Sequence, residues 1–187
     1  MTPPFLSIII PAFNEENRLP TSLEQLYAYL NSQPYTFEVL VVENGSQDRT
    51  LQVGQELANR LPNLHMIHLD ERGKGVAIRH GIFASHGQYR FIADADFSMP
   101  VNEIELFLPP ACDCDIAIAS RETPGSVRYN EPPFRHFTGR VFNLLIRLMI
   151  LPDLQDTQCG FKCFRGNVAE DIFSYQTLDG WAFDVEV

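Results

Sequence analysis

Along the first half of the chain, short apolar runs alternate with longer stretches in which apolar residues recur at helical spacing. Leu6–Ile10 is a β-branched run that predicts a buried strand, and Pro11–Glu16 follows it as a loop. Leu19, Leu23, Leu26, Tyr27 and Leu30 then keep helical spacing. Phe37–Val42 predicts a second buried strand. Leu51, Gly54, Leu57, Ala58 and Leu61 predict a second helix, with Asp48 or Ser46 as its N-cap. Leu64–Leu69 reads as a third strand, Gly75–Ser85 as a third helix opened by Gly73, and Tyr89–Ala93 as a fourth strand. This alternation predicts an α/β fold, a mostly parallel sheet with helices on both faces. Ligands of such sheets bind beyond the carboxyl ends of the strands, so the residues that follow each strand are the ones to inspect.

The second half is less regular. Ile116–Ala119 reads as a strand, and Arg121–Pro133 as a polar loop rich in Gly, Pro and Asn. Val141, Leu144, Leu145, Leu148 and Met149 form an amphipathic stripe flanked by Arg140 and Arg147. It either fills the core or lies on a membrane surface. Gly160–Phe164 reads as a short strand, and Trp181–Glu186 is strand-like as well. The pattern is cut at Val187, which implies that residues 1–187 are a single domain truncated at its C-terminus.

Charge narrows the ligands. The chain has 187 residues and a formal net charge of −10, whereas nucleic-acid binding needs a cationic footprint. An acidic chain that handles a phosphorylated ligand needs a divalent cation or locally placed Arg and Lys. The N-terminus has neither the basic start nor the apolar run of a secretory signal, and no apolar run is long enough to span a bilayer. Cys112, Cys114, Cys159 and Cys163 read as free thiols of a reducing cytoplasm. A four-cysteine zinc site is the alternative, although the C-x-C and C-x-x-x-C spacings do not suit it.

The strand ends carry the candidate chemistry. Pro11-Ala12-Phe13-Asn14-Glu15 follows the first strand, and Glu43-Asn44-Gly45-Ser46, with Asp48 and Thr50, follows the second. Asn14 and Ser46 could cap helices, and Gly45 could serve a turn. Two carboxylates, Glu15 and Glu43, at neighbouring strand ends could instead accept hydrogen bonds from a nucleoside. The G-x-G-x-x-G fingerprint of dinucleotide binding is absent from the first turn. Arg72-Gly73-Lys74-Gly75 opens the third helix, where backbone and cation could approach a phosphate or sugar. Asp94-Ala95-Asp96-Phe97-Ser98 ends the fourth strand. Two carboxylates one residue apart repel each other, and Mg²⁺ or Mn²⁺ relieves this with hard oxygen ligation and can bridge to a diphosphate. Asp-x-Asp-x-Ser after a strand also fits a phosphatase of the haloacid dehalogenase type, with the first Asp as nucleophile.

These four motifs, in this order, resemble the inverting family 2 glycosyltransferases of the GT-A fold, which has a Rossmann-like sheet. Ser120-Arg121, Arg135, Asn143, Asp156-Thr157-Gln158-Cys159-Gly160-Phe161-Lys162 and Trp181–Glu186 resemble the polyprenyl-phosphate sugar synthases, above all their dolichyl-phosphate β-glucosyltransferase branch. The resemblance implies that Pro11, Phe13 and Glu15 contact the base and ribose. Glu43 stands near the base where the family more often has Asp, with Asn44 in place of a second Asp. Ser46, Asp48, Gly73, Lys74, Asp94 and Ala95 would complete the donor-binding set. Asp94 and Asp96 would hold the metal, Mg²⁺ or Mn²⁺, while Ser98 occupies a position where mannosyl relatives carry a Gln ligand.

Arg121 and Arg135 would grip the acceptor phosphate. Asp156 and Asp184 would join Asp94 and Asp96 as catalytic residues, orienting sugar hydroxyls or acting as a base. The implied reaction transfers a hexose, glucose from UDP-glucose, to a polyprenyl phosphate with inversion. Its partners would be a UDP-sugar and the lipid phosphate, with the enzyme cytoplasmic or peripheral on the cytoplasmic face of a membrane. A saccharide or other hydroxyl acceptor, the phosphatase, and a non-catalytic nucleotide-binding module remain as alternatives.

Overall fold

The central strand explains the layering. In β1, Leu6–Ala12, the residues Leu6, Ile8, Ile10 and Ala12 enter one apolar core while Ile9 enters a second on the opposite face. A strand buried on both faces must be covered on both, and the helices divide accordingly. The computed structural model describes residues 2–120 and 159–187. On the first face α1, Leu19–Leu30, buries Leu19, Leu23, Leu26 and Leu30, and α2, Thr50–Ala58, lies beside it. On the second face α3, Lys74–Ala84, buries Ala77, Ile78 and Ile82. Two later elements join α3 there: α4, Gly166–Ser174, through Ala169 and Phe173, and α5, Phe183–Glu186, through Phe183.

Among the described residues the sheet has six strands in the order β3-β2-β1-β4-β6-β5. Here β2 is Phe37–Asn44, β3 Leu64–Leu69, β4 Tyr89–Ile92, β5 Ile116–Ile118 and β6 Lys162–Arg165. The first four are parallel; β6 runs antiparallel to both β4 and β5. A 3-10 helix, Val101–Phe107, packs Phe107 edge-on against Phe91.

Three expectations change. Trp181–Glu186 is not a strand but leads into α5, where Glu186 folds back to accept hydrogen bonds from Thr177 and Leu178. The second helix starts at Thr50 with Arg49 at its N-cap; Asp48 accepts the Thr50 N–H, and Ser46 serves another loop. Cys112 and Cys114 are paired as a disulfide, since C-x-C in this loop brings their Cα atoms to 5.5 Å. Cys159 and Cys163 lie outside this disulfide and are both buried, and burial pushes the Cys163 thiol up to about 12. Among the described residues no helix is long and apolar enough to cross a membrane.

The loops after β1 and β2 are tied together, and this fixes the upper edge of the sheet. Ser46 Oγ accepts the Asn14 N–H at 3.0 Å, and Asn14 Oδ1 accepts the Gln47 N–H at 2.8 Å. Thr50 Oγ1 accepts the Glu15 N–H at 2.7 Å, and Asp48 accepts the Glu16 N–H at 3.2 Å. Glu16 returns a bond by accepting the Arg49 N–H. Asn14 and Gly45 both hold left-handed backbone conformations, which suit Asn and Gly. Beneath these loops the buried Glu43 carboxylate accepts the Ser46 N–H and meets Nδ1 of His68 at 2.5 Å.

Two outcomes are expected. A Cβ at Gly81 of α3 would lie 3.1 Å from Val42 Cγ2 and closer still to Ile9. Gly81→Ala therefore overpacks the helix–sheet contact and lowers stability by about 1–3 kcal/mol, more than any helix-propensity gain offsets, read as a lower urea midpoint. The hydrogen bond to Glu43 raises the His68 pKa above its ordinary value, so His68 contributes stability that is full at acid pH and is lost as pH rises through the raised pKa. Urea midpoints measured across that range should fall less steeply in His68→Gln than in the parent.

Candidate functional site

The carboxyl ends of β1, β2 and β4 lie side by side, where sheets of this kind place their ligand crevice, and the start of α3, Gly160 and residues 178–184 approach there. Asp94 follows β4. Its Oδ1 accepts a hydrogen bond from Lys74 Nζ at 2.6 Å, and both side chains are partly buried. Lys74 also lies 4.9 Å from the ring centroid of Trp181, whose other surface is exposed. The second oxygen of Asp94 faces Gly160. Asp96 is exposed, and its Oδ1 accepts the Ser98 N–H at 3.1 Å. Ala95 between them is buried and joins the core with Phe97, so the two carboxylates flank an anchored residue.

Two carboxylates of this kind fit a hard divalent cation. Among the described residues no group of three His, Cys, Asp or Glu could hold a metal. A bound phosphate or water could supply further ligands.

The residues expected at the nucleoside separate into two sets. Phe13 is exposed and stands under the Arg72 guanidinium, 5.4 Å from its ring centroid. Glu15 is held by Arg18 through two hydrogen bonds of 2.6 and 2.8 Å. Burial raises its pKa against the pull of Arg18, with the charges of Asp96 and Asp48 adding to the rise. Three strand ends therefore share one electrostatic field. Pro11 pairs with Val42, one step before Ala12 and Glu43 end the β1–β2 register. Phe13, Glu15 and Arg72 thus border the crevice. Glu43 and Asn44 are buried, and Glu43, Ser46 and Asp48 are bonded within the loops. These bonds brace the loops after β1 and β2.

The glycines at the start of α3 approach the chain itself rather than open space. A Cβ at Gly75 would lie 2.5 Å from the Leu178 carbonyl, and one at Gly73 would strike the Asp179 carbonyl. That carbonyl accepts the N–H groups of Gly75 at 2.9 Å and Val76 at 3.3 Å. The N–H groups of Gly75 and Val76 at the start of α3 are thus occupied by Asp179. The Lys74 ammonium keeps its place beside Asp94.

Asp184 lies behind Lys74. Its carboxylate is buried and paired with the buried Lys162 ammonium on β6. Burial pushes its pKa up, Lys162 and then Lys74 pull it down, and Asp94 pushes it up. Arg121, Arg135, Asp156 and the stripe 141–151 lie outside the described residues.

Sequence reasoning missed four contributions: the stacking of Arg72 on Phe13, the space at Gly160, the counter-charge of Lys162 and the cap supplied by Asp179. A Lys inside the apolar run from Phe161 to Phe164 was a legible sign of a buried partner. The other three depend on contacts between distant segments.

The family model described as "Glycosyl transferase family 2" matches residues 7–173. A dolichyl-phosphate beta-glucosyltransferase of Drosophila melanogaster is 35% identical over 198 residues, covering 97% of this chain and 61% of the relative. The human protein of the same name is 34% identical over 202 residues, with the same 97% and 61% coverage. The chain thus spans less than two thirds of the length of these relatives. A crystal structure of glucosyl-3-phosphoglycerate synthase from Mycobacterium tuberculosis, in complex with Mn²⁺, UDP-glucose and phosphoglyceric acid, superposes with a TM-score of 0.67. At 17% identity it covers 97% of this chain and 62% of its own, which shows a shared fold, the GT-A arrangement. The matched residues contain β2, β4, β1 from Ser7 onward and both carboxylates, Asp94 and Asp96. This chain belongs to glycosyl transferase family 2.

Proposed function

We propose that the chain is the catalytic part of a glucosyltransferase that moves glucose from UDP-glucose to a polyprenyl phosphate such as dolichyl phosphate, with inversion. The observation that carries this reading is the Lys74–Asp94 pair beside the exposed Asp96, at the crevice where three strand ends meet. The names of the Drosophila and human relatives support the acceptor and the sugar. The UDP-glucose and Mn²⁺ in the mycobacterial synthase support the nucleotide and a divalent cation, Mg²⁺ or Mn²⁺.

Phe13 and Arg72 offer the nucleoside an aromatic face and a cation, and Glu15 adds a carboxylate for a hydroxyl. A divalent cation held by Asp94 and Asp96 supplies positive charge to the diphosphate leaving group. Lys74 holds Asp94 in one orientation and adds an ammonium beside the place where that charge develops. A phosphate monoester is already ionised near neutral pH, so it attacks without a strong base once it is aligned. The burial of Asp184 against Lys162 agrees with this, since a general base must reach the proton it removes. Arg121 and Arg135 would hold the acceptor phosphate, and Asp156 would orient the sugar. The enzyme would work at the cytoplasmic face of a membrane.

The test is thermal unfolding with UDP, UDP-glucose and GDP, each with and without Mn²⁺, followed by transfer to dolichyl phosphate. UDP with Mn²⁺ at a hundred times its Kd should stabilise the protein by about 2.7 kcal/mol, and Asp96→Ala should lose that gain together with turnover. Selectivity for GDP would overturn the glucose assignment. Binding of UDP without any transfer would favour a non-catalytic module. Asp184→Asn alone should cost about 3–5 kcal/mol by stranding Lys162, and Lys162→Met added to it should restore most of that. A double variant that folds but transfers nothing would make Asp184 a base and favour a hydroxyl acceptor.

A further inference from the structure

Gly160 stands where a side chain would collide with Asp94. A Cβ built on it lies 2.7 Å from Asp94 Cγ, 3.3 Å from Oδ1 and closest of all to Oδ2. Its φ is outside the left-handed region, so the backbone there suits any residue and the missing side chain serves space alone. The backbone is held on both sides of this contact, so only the Asp94 carboxylate can yield. On one side of Gly160, Cys159 is buried with its sulfur 3.9 Å from Met99 Sδ. On the other, Phe161 is buried edge-on against Phe91 and Phe97, and its carbonyl accepts the Ala119 N–H at 3.0 Å. Asp94 is held by its own carbonyl, which accepts the Phe97 N–H, and by Lys74 at Oδ1.

We propose that Gly160 is a positioning residue for Asp94: the space left by its missing side chain lets the carboxylate present Oδ1 to Lys74 and keep Oδ2 free of a hydrocarbon neighbour. A methyl group at 160 turns the carboxylate out of this setting. Asp94 is short and ends at the crevice, so its rotation costs the fold little and the metal–diphosphate site much. The substitution should thus separate binding from stability, unlike Gly81→Ala, whose collision is with the core. The inference rests on the donor-site reading given above.

The experiment compares the parent, Gly160→Ala, Asp94→Ala and the double variant. Each is measured for unfolding midpoint without ligand, for calorimetric binding of Mn²⁺, and for binding of UDP with and without Mn²⁺. Gly160→Ala should keep the ligand-free midpoint while its affinity for Mn²⁺ and for UDP with Mn²⁺ falls about 10–100-fold, the range seen when support for a metal ligand is removed. The double variant should bind no more weakly than Asp94→Ala, because both changes remove one contribution. Parent-like binding by Gly160→Ala overturns the proposal, as do losses that add in the double variant or a fall in midpoint that accounts for the whole effect. A parent that takes no UDP with Mn²⁺ overturns the donor-site reading itself, and the proposal with it.

Discussion

An ammonium set against a carboxylate at the mouth of a parallel sheet places two opposing demands on a fold. The pair must be dry enough to hold its geometry and open enough to meet a charged ligand. Here Lys74 comes from the first turn of α3 and Asp94 from the end of β4, so the contact ties the helix to the strand that follows it. Each partner is steadied from behind. Asp179 caps the start of α3 and Trp181 covers Lys74; Gly160 makes room for Asp94, and Ala95 and Phe97 root the β4 loop in the core. Asp184 and Lys162 place a second, buried ion pair close by, which balances charge near the site without exposing it.

The side of the crevice next to β1 and β2 depends on loops that bond to one another. Side chains that a sequence would assign to a ligand, Ser46, Asp48 and Glu43 among them, are spent on neighbouring backbone N–H groups. This leaves Phe13, Glu15 and Arg72 as the groups at its edge. A rigid rim with few free polar groups lowers the entropy lost on binding, because little remains to be ordered when the ligand arrives.

The first four strands and three helices were legible because their burial is periodic and local. β1 carries β-branched residues that are buried on both faces, and α1 repeats Leu at helical spacing. The Asp94–Asp96 pair was legible because adjacent carboxylates after a buried strand have few structural uses. The antiparallel course of β6 was not legible, since a four-residue strand carries no mark of direction. Trp181–Glu186 alternates like a strand, yet only Phe183 and Asp184 are buried there, and tertiary contacts with Thr177 and Leu178 decide the turn. Gly73 and Gly75 signalled close approach correctly, but a sequence cannot say whether the approaching atom is a phosphate or the carbonyl of Asp179.

The position of Trp181 has a consequence for how the molecule can be watched. It is the only tryptophan in the chain, it is 71% exposed, and its ring faces the ammonium that holds Asp94. Indole emission responds to nearby charge and to water, and no other indole dilutes the signal. The protein therefore carries its own optical probe within one side chain of the crevice, and its colour and intensity follow the electrostatics of the site without a label.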